Sequence, residues 1–578
     1  MNDILPAADR LRFEEEARLY QEGARTEEEF RNARVPMGIY EQREHGVYMM
    51  RIRIPGGRMT AFQLMAVANA ADLYGNGALH FTTRQDVQLH GLTVKSIVPA
   101  LRALLKVGLH TRGGGGNTVR NITACTMCDL TGYAILNVYP FVRSLTQKLL
   151  LEPESYRLPR KLKIAFSACA RDCPEGGFSD IGFMARWRDH RFGETLGFQV
   201  LVGGGLGARS AAAVELEPFV SPDEVYLVAA AIRSVYQQRG NSGDKNNSRL
   251  RFLVQSLGLD SFKRMYLAEK ESLRDFLAWP IVPLEGRPQP VGDPSDIPAI
   301  RDPEMNTWAS ECVHEQTIAG FFAVTSPVSM GDITSASAGA LAEWLWNSDL
   351  NEVRLTQQQN LLIPNVPGKR IPILYDFQKT AGIVRPAPPA LSGMCVCAGA
   401  GTCQLGICRS KDVAAEIYKM KDNAYWRHPA LRFLSIRFSG CMNQCARSTT
   451  AVLGFVGAAR SLDGRSYPAY QVFWGGQSRG AHSSLAAPVG TVPARWITPL
   501  LDGFLDRLAA VLPRDADVAR IIRTGRPILH ACLAEFQQAP GYDTAPLFYR
   551  DWGADDQPFT TEDRGKGECS AGETSIAC

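Results

Sequence analysis

Long apolar runs are missing from this sequence: none reaches the ~18 residues that a membrane-spanning helix needs. The opening MetAsnAspIleLeuProAlaAlaAspArg has no basic stretch leading into an apolar one, which argues against a secretory signal. Neither sign of charge is in excess. Lys and Arg number 63 against 59 Asp and Glu, and the resulting +4 is too small for a dedicated nucleic-acid binder. No GxGxxG follows a convincing strand, so neither a flavin nor a nicotinamide module is expected. The expectation is a soluble, cytoplasmic chain that engages neither membrane nor nucleic acid. Its 578 residues, 45% of them hydrophobic, allow about three or four ordinary domains with substantial cores.

Cysteine, by contrast, is plentiful, at 14 residues. In a large chain without an export signal this points to metal or redox use in a reducing compartment. Four of them form two tight pairs, Cys397-x5-Cys403 and Cys441-x3-Cys445, separated by 38 positions (441 − 403). Both pairs lie among glycines, in ValCysAlaGlyAlaGlyThrCys and PheSerGlyCysMetAsnGlnCys. Thiolates are soft ligands that suit iron–sulfur clusters and zinc, and small neighbours let backbone amides approach the sulfurs. Two pairs could supply all four ligands of one [4Fe–4S] cube. Two alternatives stand beside this reading: a four-cysteine zinc site, which usually has CxxC-like knuckles, and buried inert thiols.

The chain is also a repeat. PheSerAlaCysAlaArgAspCys, with Cys169 and Cys173, echoes the segment around Cys441 and Cys445 at an offset of 272 (441 − 169). IleGlyPhe at 181–183 answers LeuGlyPhe at 453–455, and PheGlnValLeuValGlyGly at 198–204 answers TyrGlnValPheTrpGlyGly at 470–476. Upstream, ThrThrArgGlnAspVal at 82–87 is set against LeuThrGlnGlnGlnAsn at 355–360, at an offset of 273. In each half a strand and an amphipathic helix come first, predicted at 47–55 and 60–74, then a strand pair near 79–92. A longer α/β section with the cysteine loops and GlyGly turns follows. Prolines at 280, 283, 288, 290, 294 and 298 mark the connector, and Pro386, Pro388 and Pro389 mark a second joint.

The halves differ in charge. At the 272 offset Lys161 faces Phe433 and Lys163 faces Ser435; at 273, Arg84 faces Gln357. Two lysines at i, i+2 share one strand face. Arg120 follows the turn Gly113–Gly116, whose glycines permit close approach of a ligand. One half is thus suited to a metal cluster and the other to something anionic, although solvated lysines and a plain flexible loop would read the same way.

These residues resemble the sirohaem-containing nitrite and sulfite reductases, from about residue 35 to 550. The resemblance rests on ThrThrArgGlnAspValGlnLeuHisGly (82–91), ValArgAsnIle (119–122), LeuProArgLysLeuLys (158–163), the GlyGlyGly turn at 203–205 and the two cysteine pairs. It implies an α+β, internally duplicated, pseudo-two-fold fold with ferredoxin-like half-domains and two sirohaem/Fe–S domains. The domains expected are a helical extension at 1–35, a half-domain at 36–110 and a sirohaem/substrate domain at 111–280. A linker at 281–299, a second half-domain at 300–385, a [4Fe–4S]/sirohaem domain at 386–550 and a polar tail at 551–578 complete the chain.

By the same resemblance Cys397, Cys403, Cys441 and Cys445 ligate the [4Fe–4S] cube, with Cys445 also bridging to the sirohaem iron. Arg84, Arg120, Lys161 and Lys163 correspond to the cations that bind the oxyanion and supply protons. Arg249 and Arg251 are weaker candidates for holding the sirohaem carboxylates. The implied activity is that of an assimilatory sulfite reductase taking sulfite to sulfide by six electrons, with ferredoxin-dependent reduction of nitrite to ammonia as the alternative. Electrons would come from ferredoxin, flavodoxin or a flavoprotein reductase subunit.

Some features depart from the pattern. After Cys445 the chain runs AlaArgSerThrThr, where many relatives have a stretch with Gly and His. Cys125-x2-Cys128 and Cys169-x3-Cys173 form a second possible four-thiol set. The family's cations occupy that region, which favours vestigial or haem-adjacent thiols over a second cluster. Cys569 and Cys578 read as part of the tail.

Overall fold

Thr60 and Thr334 begin the same helix in the two halves. The Thr60 side chain accepts from the Gln63 amide and opens Ala61–Tyr74; the Thr334 side chain accepts from the Ser337 amide and opens Ser335–Asn347. Such caps satisfy amides that the first helical turn leaves without partners. Ahead of the first helix the expected strand is found as Val47–Ile52, ending before Pro55, which has no N–H to offer a ladder. The computed structural model describes residues 6–190, 193–244, 246–277, 292–385, 387–478, 483–562 and 564–565. Most of the proline-rich connector, together with Pro386, Cys569 and Cys578, therefore lies outside the described residues.

Among the described residues, four five-stranded sheets make an α+β fold in two like pairs. One antiparallel sheet orders Ile39–Glu41, Val47–Ile52, Val87–Thr93, Ala78–Phe81 and Asp332–Thr334; its counterpart orders Val313–Glu315, Phe321–Ser326, Leu361–Pro367, Glu352–Leu355 and Arg58–Thr60. The last strand of each is exchanged. Asp332, Ile333 and Thr334 of the second half pair with His80, Leu79 and Ala78, while Arg58, Met59 and Thr60 of the first pair with Arg354, Val353 and Glu352. This reciprocal exchange is what a pseudo-two-fold relation requires. One hydrophobic core runs through both ferredoxin-like half-domains, from Leu64 and Val67 to Leu341 and Leu345.

The other two sheets each have a core of their own. In the first, Thr123–Ala124 runs parallel to Ile164–Ser167, which runs parallel to Ile181–His190; in the second, Cys395–Val396, Ile436–Ser439 and Leu453–Leu462 do the same. Packing repeats with the topology. Phe166 stacks on Phe183 at 4.6 Å with Phe198 edge-on, and Phe438 stacks on Phe455 at 4.4 Å with Tyr470 edge-on. These offset and edge-to-face pairings suit the aromatic quadrupole.

The backbone corrects one register. Thr82 N donates to Asp86 O at 3.0 Å and Thr356 N to Asn360 O at 2.9 Å, and Gln85 and Gln359 both take positive φ, 58° and 63°. The ferredoxin-like halves are therefore offset by 274 (359 − 85), so Arg84 corresponds to Gln358 and not to Gln357. The α/β sections keep the 272 offset, because the second half is two residues shorter between them. No described helix is long and apolar enough to cross a membrane.

Candidate active site

Cys397 leaves the strand Cys395–Val396 with its amide still bonded to Phe438 O at 3.1 Å. Its Sγ accepts the Gly440 amide at 3.1 Å and lies 3.5 Å from Ser410 Oγ. Gly440 belongs there because a Cβ would come within 2.6 Å of Cys408 O; at Gly399, with φ +61°, one would stand 2.4 Å from Ser410 Oγ. The loop then turns so that the Cys403 amide bonds Gly399 O at 2.9 Å. From the second pair Cys441 is buried, while Cys445, on the turn closed by Gln444 at φ 50°, is exposed. Cys408 is inert core, its thiol donating to Ala469 O at 3.3 Å and Ala458 O at 3.5 Å.

The four sulfurs share one electrostatic neighbourhood. Burial and the adjoining Cys445 push the Cys397, Cys403 and Cys441 thiols up, Cys403 to about 12. Such thiols become ligands only when a cationic centre takes up their charge on deprotonation. Among the described residues no three His, Cys, Asp or Glu side chains gather as ligands of a single metal ion.

Arg84 reaches this place from the other half. Thr83 Oγ1 donates to Cys445 O at 2.7 Å, so the turn between Ala78–Phe81 and Val87–Thr93 is fastened to Cys445. Arg84 bonds the Asn121 carbonyl, and burial, then the opposing Asp86 and the like charges of Arg447 and Arg120, leave its guanidinium at about 9. Lys161 and Lys163 flank the fully buried Leu162, whose amide and carbonyl bond Thr118 and Arg120, so the two lysines share the face opposite the core. Burial, and then Arg84, Arg249 and Lys161, hold Lys163 well below the usual lysine range, although its side chain keeps partial access to solvent.

Arg120 stands at the edge of this group. Its Nη1 donates to Gly114 O at 2.7 Å and its Nη2 to Gly116 O at 2.9 Å, so it braces the glycine-rich turn. Arg249 is paired with Asp180 at 2.9 Å, and the same carboxylate accepts the Lys163 amide at 2.8 Å. Arg251 lies over the Phe252 ring at 4.4 Å, and burial, then Arg249, lower it to about 10. The buried Nε atoms of Arg84, Arg249 and Arg251 have no hydrogen-bond partner among the described residues. Orphaned guanidinium donors beside Lys163 and Arg249 suit a polycarboxylate macrocycle, so the residues fit sirohaem as well as the cube.

Sequence reasoning missed four residues here. Glu175 pairs with Arg447 at 2.6 Å and with Arg437 at 3.1 Å and accepts from Thr450 Oγ1 at 3.1 Å, all four buried. Glu175 and Arg447 are counterparts at the 272 offset, and opposite charges at equivalent positions were the signal available.

A cysteine quartet fastened to a cluster of half-buried cations is the arrangement of an oxidoreductase. The chain belongs to the sirohaem-dependent nitrite and sulfite reductase family, and its cofactors are sirohaem and a [4Fe–4S] cluster. The model of the nitrite and sulphite reductase 4Fe-4S domain matches residues 115–273, and that of the nitrite/sulfite reductase ferredoxin-like half domain matches 40–107 and 314–376. An assimilatory ferredoxin-dependent nitrite reductase of Haloferax mediterranei is 28% identical, over 76% of each chain. A ferredoxin–nitrite reductase of Synechococcus elongatus is 29% identical, over 75% of this chain and 80% of its own. The solved structure of the Mycobacterium tuberculosis NirA protein superposes with a TM-score of 0.74 at 21% identity, covering 90% of this chain and 97% of that one, and shares the fold.

Proposed function

We propose that this protein reduces nitrite to ammonia by six electrons drawn from ferredoxin in the cytoplasm, and that Arg84, Lys161 and Lys163 form its oxyanion site. The observation that carries the reading is the Thr83–Cys445 hydrogen bond, which sets the cations of one half beside the cluster cysteines of the other. Cys397, Cys403, Cys441 and Cys445 would hold the cube, Arg249 and Arg251 the sirohaem carboxylates, and together these groups supply electrons singly to a bound oxyanion.

Arg84 stays charged and offers its free Nε–H to the oxyanion. Lys163, with its lowered pKa, is placed to give a proton as an oxygen leaves as water. Lys161 adds charge on the same face, and Arg120 keeps the glycine turn close while adding to the positive field. Names of the relatives support nitrite over the sulfite that the sequence alone favours. Sulfite is the second reading, favoured by the number of cations, which suits a dianion.

Turnover of both oxyanions, side by side with reduced ferredoxin on cofactor-replete protein, decides between them. A higher kcat/KM for nitrite with ammonia as product is expected. Preference for sulfite with sulfide as product would reverse the substrate assignment, and turnover of neither would overturn the reading.

A further inference from the structure

The cysteine loop of the first repeat is built like the cluster loop of the second. Thr123 pairs with Ala165 as Cys395 pairs with Arg437, both in parallel. The Cys125 amide bonds Phe166 O at 3.1 Å, as the Cys397 amide bonds Phe438 O at 3.1 Å. Gln85 braces the strand before Cys125, accepting the Ala124 amide at 2.9 Å and donating to its carbonyl at 3.1 Å; Gln359 does the same for Val396, at 2.8 and 3.1 Å. The Asp172 amide closes on Cys169 O at 3.3 Å with φ 46°, and the Gln444 amide on Cys441 O at 3.2 Å with φ 50°. Three cluster ligands thereby have counterparts: Cys125 for Cys397, Cys169 for Cys441 and Cys173 for Cys445.

The fourth is displaced, not lost. Thr131 stands where the offset would put a counterpart of Cys403, but Cys128 enters from the shorter x2 turn. Cys125 and Cys128 are each 2% exposed and Cys169 5%, and the Cys125 thiol is hydrogen-bonded to that of Cys173. Arg58 Nη2 lies 3.3 Å from Cys128 Sγ, the kind of donor that stabilises a ligating sulfur. The bond to Cys173 and then burial raise the Cys125 thiol, burial raises Cys128, and burial with the neighbouring Cys173 raises Cys169. Around this loop the oxyanion cations are absent, because Gln358, Phe433 and Ser435 replace Arg84, Lys161 and Lys163.

We propose that Cys125, Cys128, Cys169 and Cys173 ligate a second [4Fe–4S] cluster, one without an oxyanion site of its own. The sequence alone favours vestigial thiols; the repeated backbone and the replacement ligand reverse that preference. Both CxxxC loops lead directly into the Glu175–Arg447 pair, two residues beyond Cys173 and Cys445, so the two clusters would be neighbours across the pseudo-two-fold axis.

The test is a metal count on the whole enzyme, purified without oxygen from a sirohaem-producing host. About eight non-haem irons and eight acid-labile sulfides per sirohaem are expected, against about four of each for one cluster. In the Cys125→Ala/Cys173→Ala variant the count should halve, with the sirohaem absorbance and its coupled cluster signal retained. Wild-type protein with full sirohaem and about four non-haem irons would overturn the proposal, and so would a Cys125–Cys173 disulfide found by mass spectrometry in that preparation. Neither result bears on the choice between nitrite and sulfite, which is read from turnover.

Discussion

Glu175 and Arg447 occupy the same position in the two repeats and form a buried ion pair with each other, 2.6 Å apart. Residues related by a two-fold axis touch only where they lie against it, so the axis of this molecule passes between these two side chains. Both hold a left-handed backbone, with φ 55° and 61°. Burial alone would raise the Glu175 carboxyl, but Arg447 and Arg437 outweigh it and hold it below its ordinary value.

Glu175→Gln leaves Arg447 and Arg437 buried without a counter-charge. A loss of about 3–5 kcal/mol is expected, as for other broken buried pairs. Urea unfolding of wild type and variant measures it; a loss under about 1 kcal/mol would show that the pair does not hold the halves together.

His110 gives the fold an acid limb. Burial, then the charges of Arg53 and Arg112, lower its pKa from 6.5 to about 3. The native ring stays neutral while the unfolded one takes a proton, so stability falls as pH drops from 6.5 towards 3. At about pH 5 the cost is about 2 kcal/mol, at ~1.4 kcal/mol for each unit below 6.5. His110→Gln should remove that share in urea titrations at about pH 5 and pH 7.5; His90, lowered in the same direction, keeps its own.

The proton-donor role proposed for Lys163 predicts an alkaline limb on turnover. A donor must be charged to give its proton, so the nitrite rate should fall as pH rises through the lowered Lys163 pKa, well before an ordinary lysine would titrate at about 10.4. In Lys163→Arg the group stays charged, and the limb should move to higher pH or vanish. An unchanged profile would assign the limb to another group.

Much of this was legible in the sequence, and the misses have physical causes. Cys441 and Cys445 announce themselves because the duplicated segment PheSer-x-Cys survives in both halves, and the lysines because Phe433 and Ser435 contrast with them. Arg84 was set one position out, against Gln357, since ThrThrArgGlnAspVal shares few residues with its counterpart; the positive φ of Gln85 and Gln359 fixes the register, and a sequence carries no such mark. Exchange of Arg58–Thr60 and Asp332–Thr334 was invisible because three-residue strands show no periodicity. Glu175 and Arg447 escaped a search for likeness because contacts across an axis call for complementarity.

The central claim is that one repeat supplies the oxyanion site for the cluster held by the other. Its most direct test is kcat/KM for nitrite in the Lys161→Met/Lys163→Met variant, on protein whose iron content and sirohaem spectrum match wild type. The account predicts a loss of about a thousandfold or more, since each removed cation stabilises charge in a site with little water. A value within about threefold of wild type would contradict it.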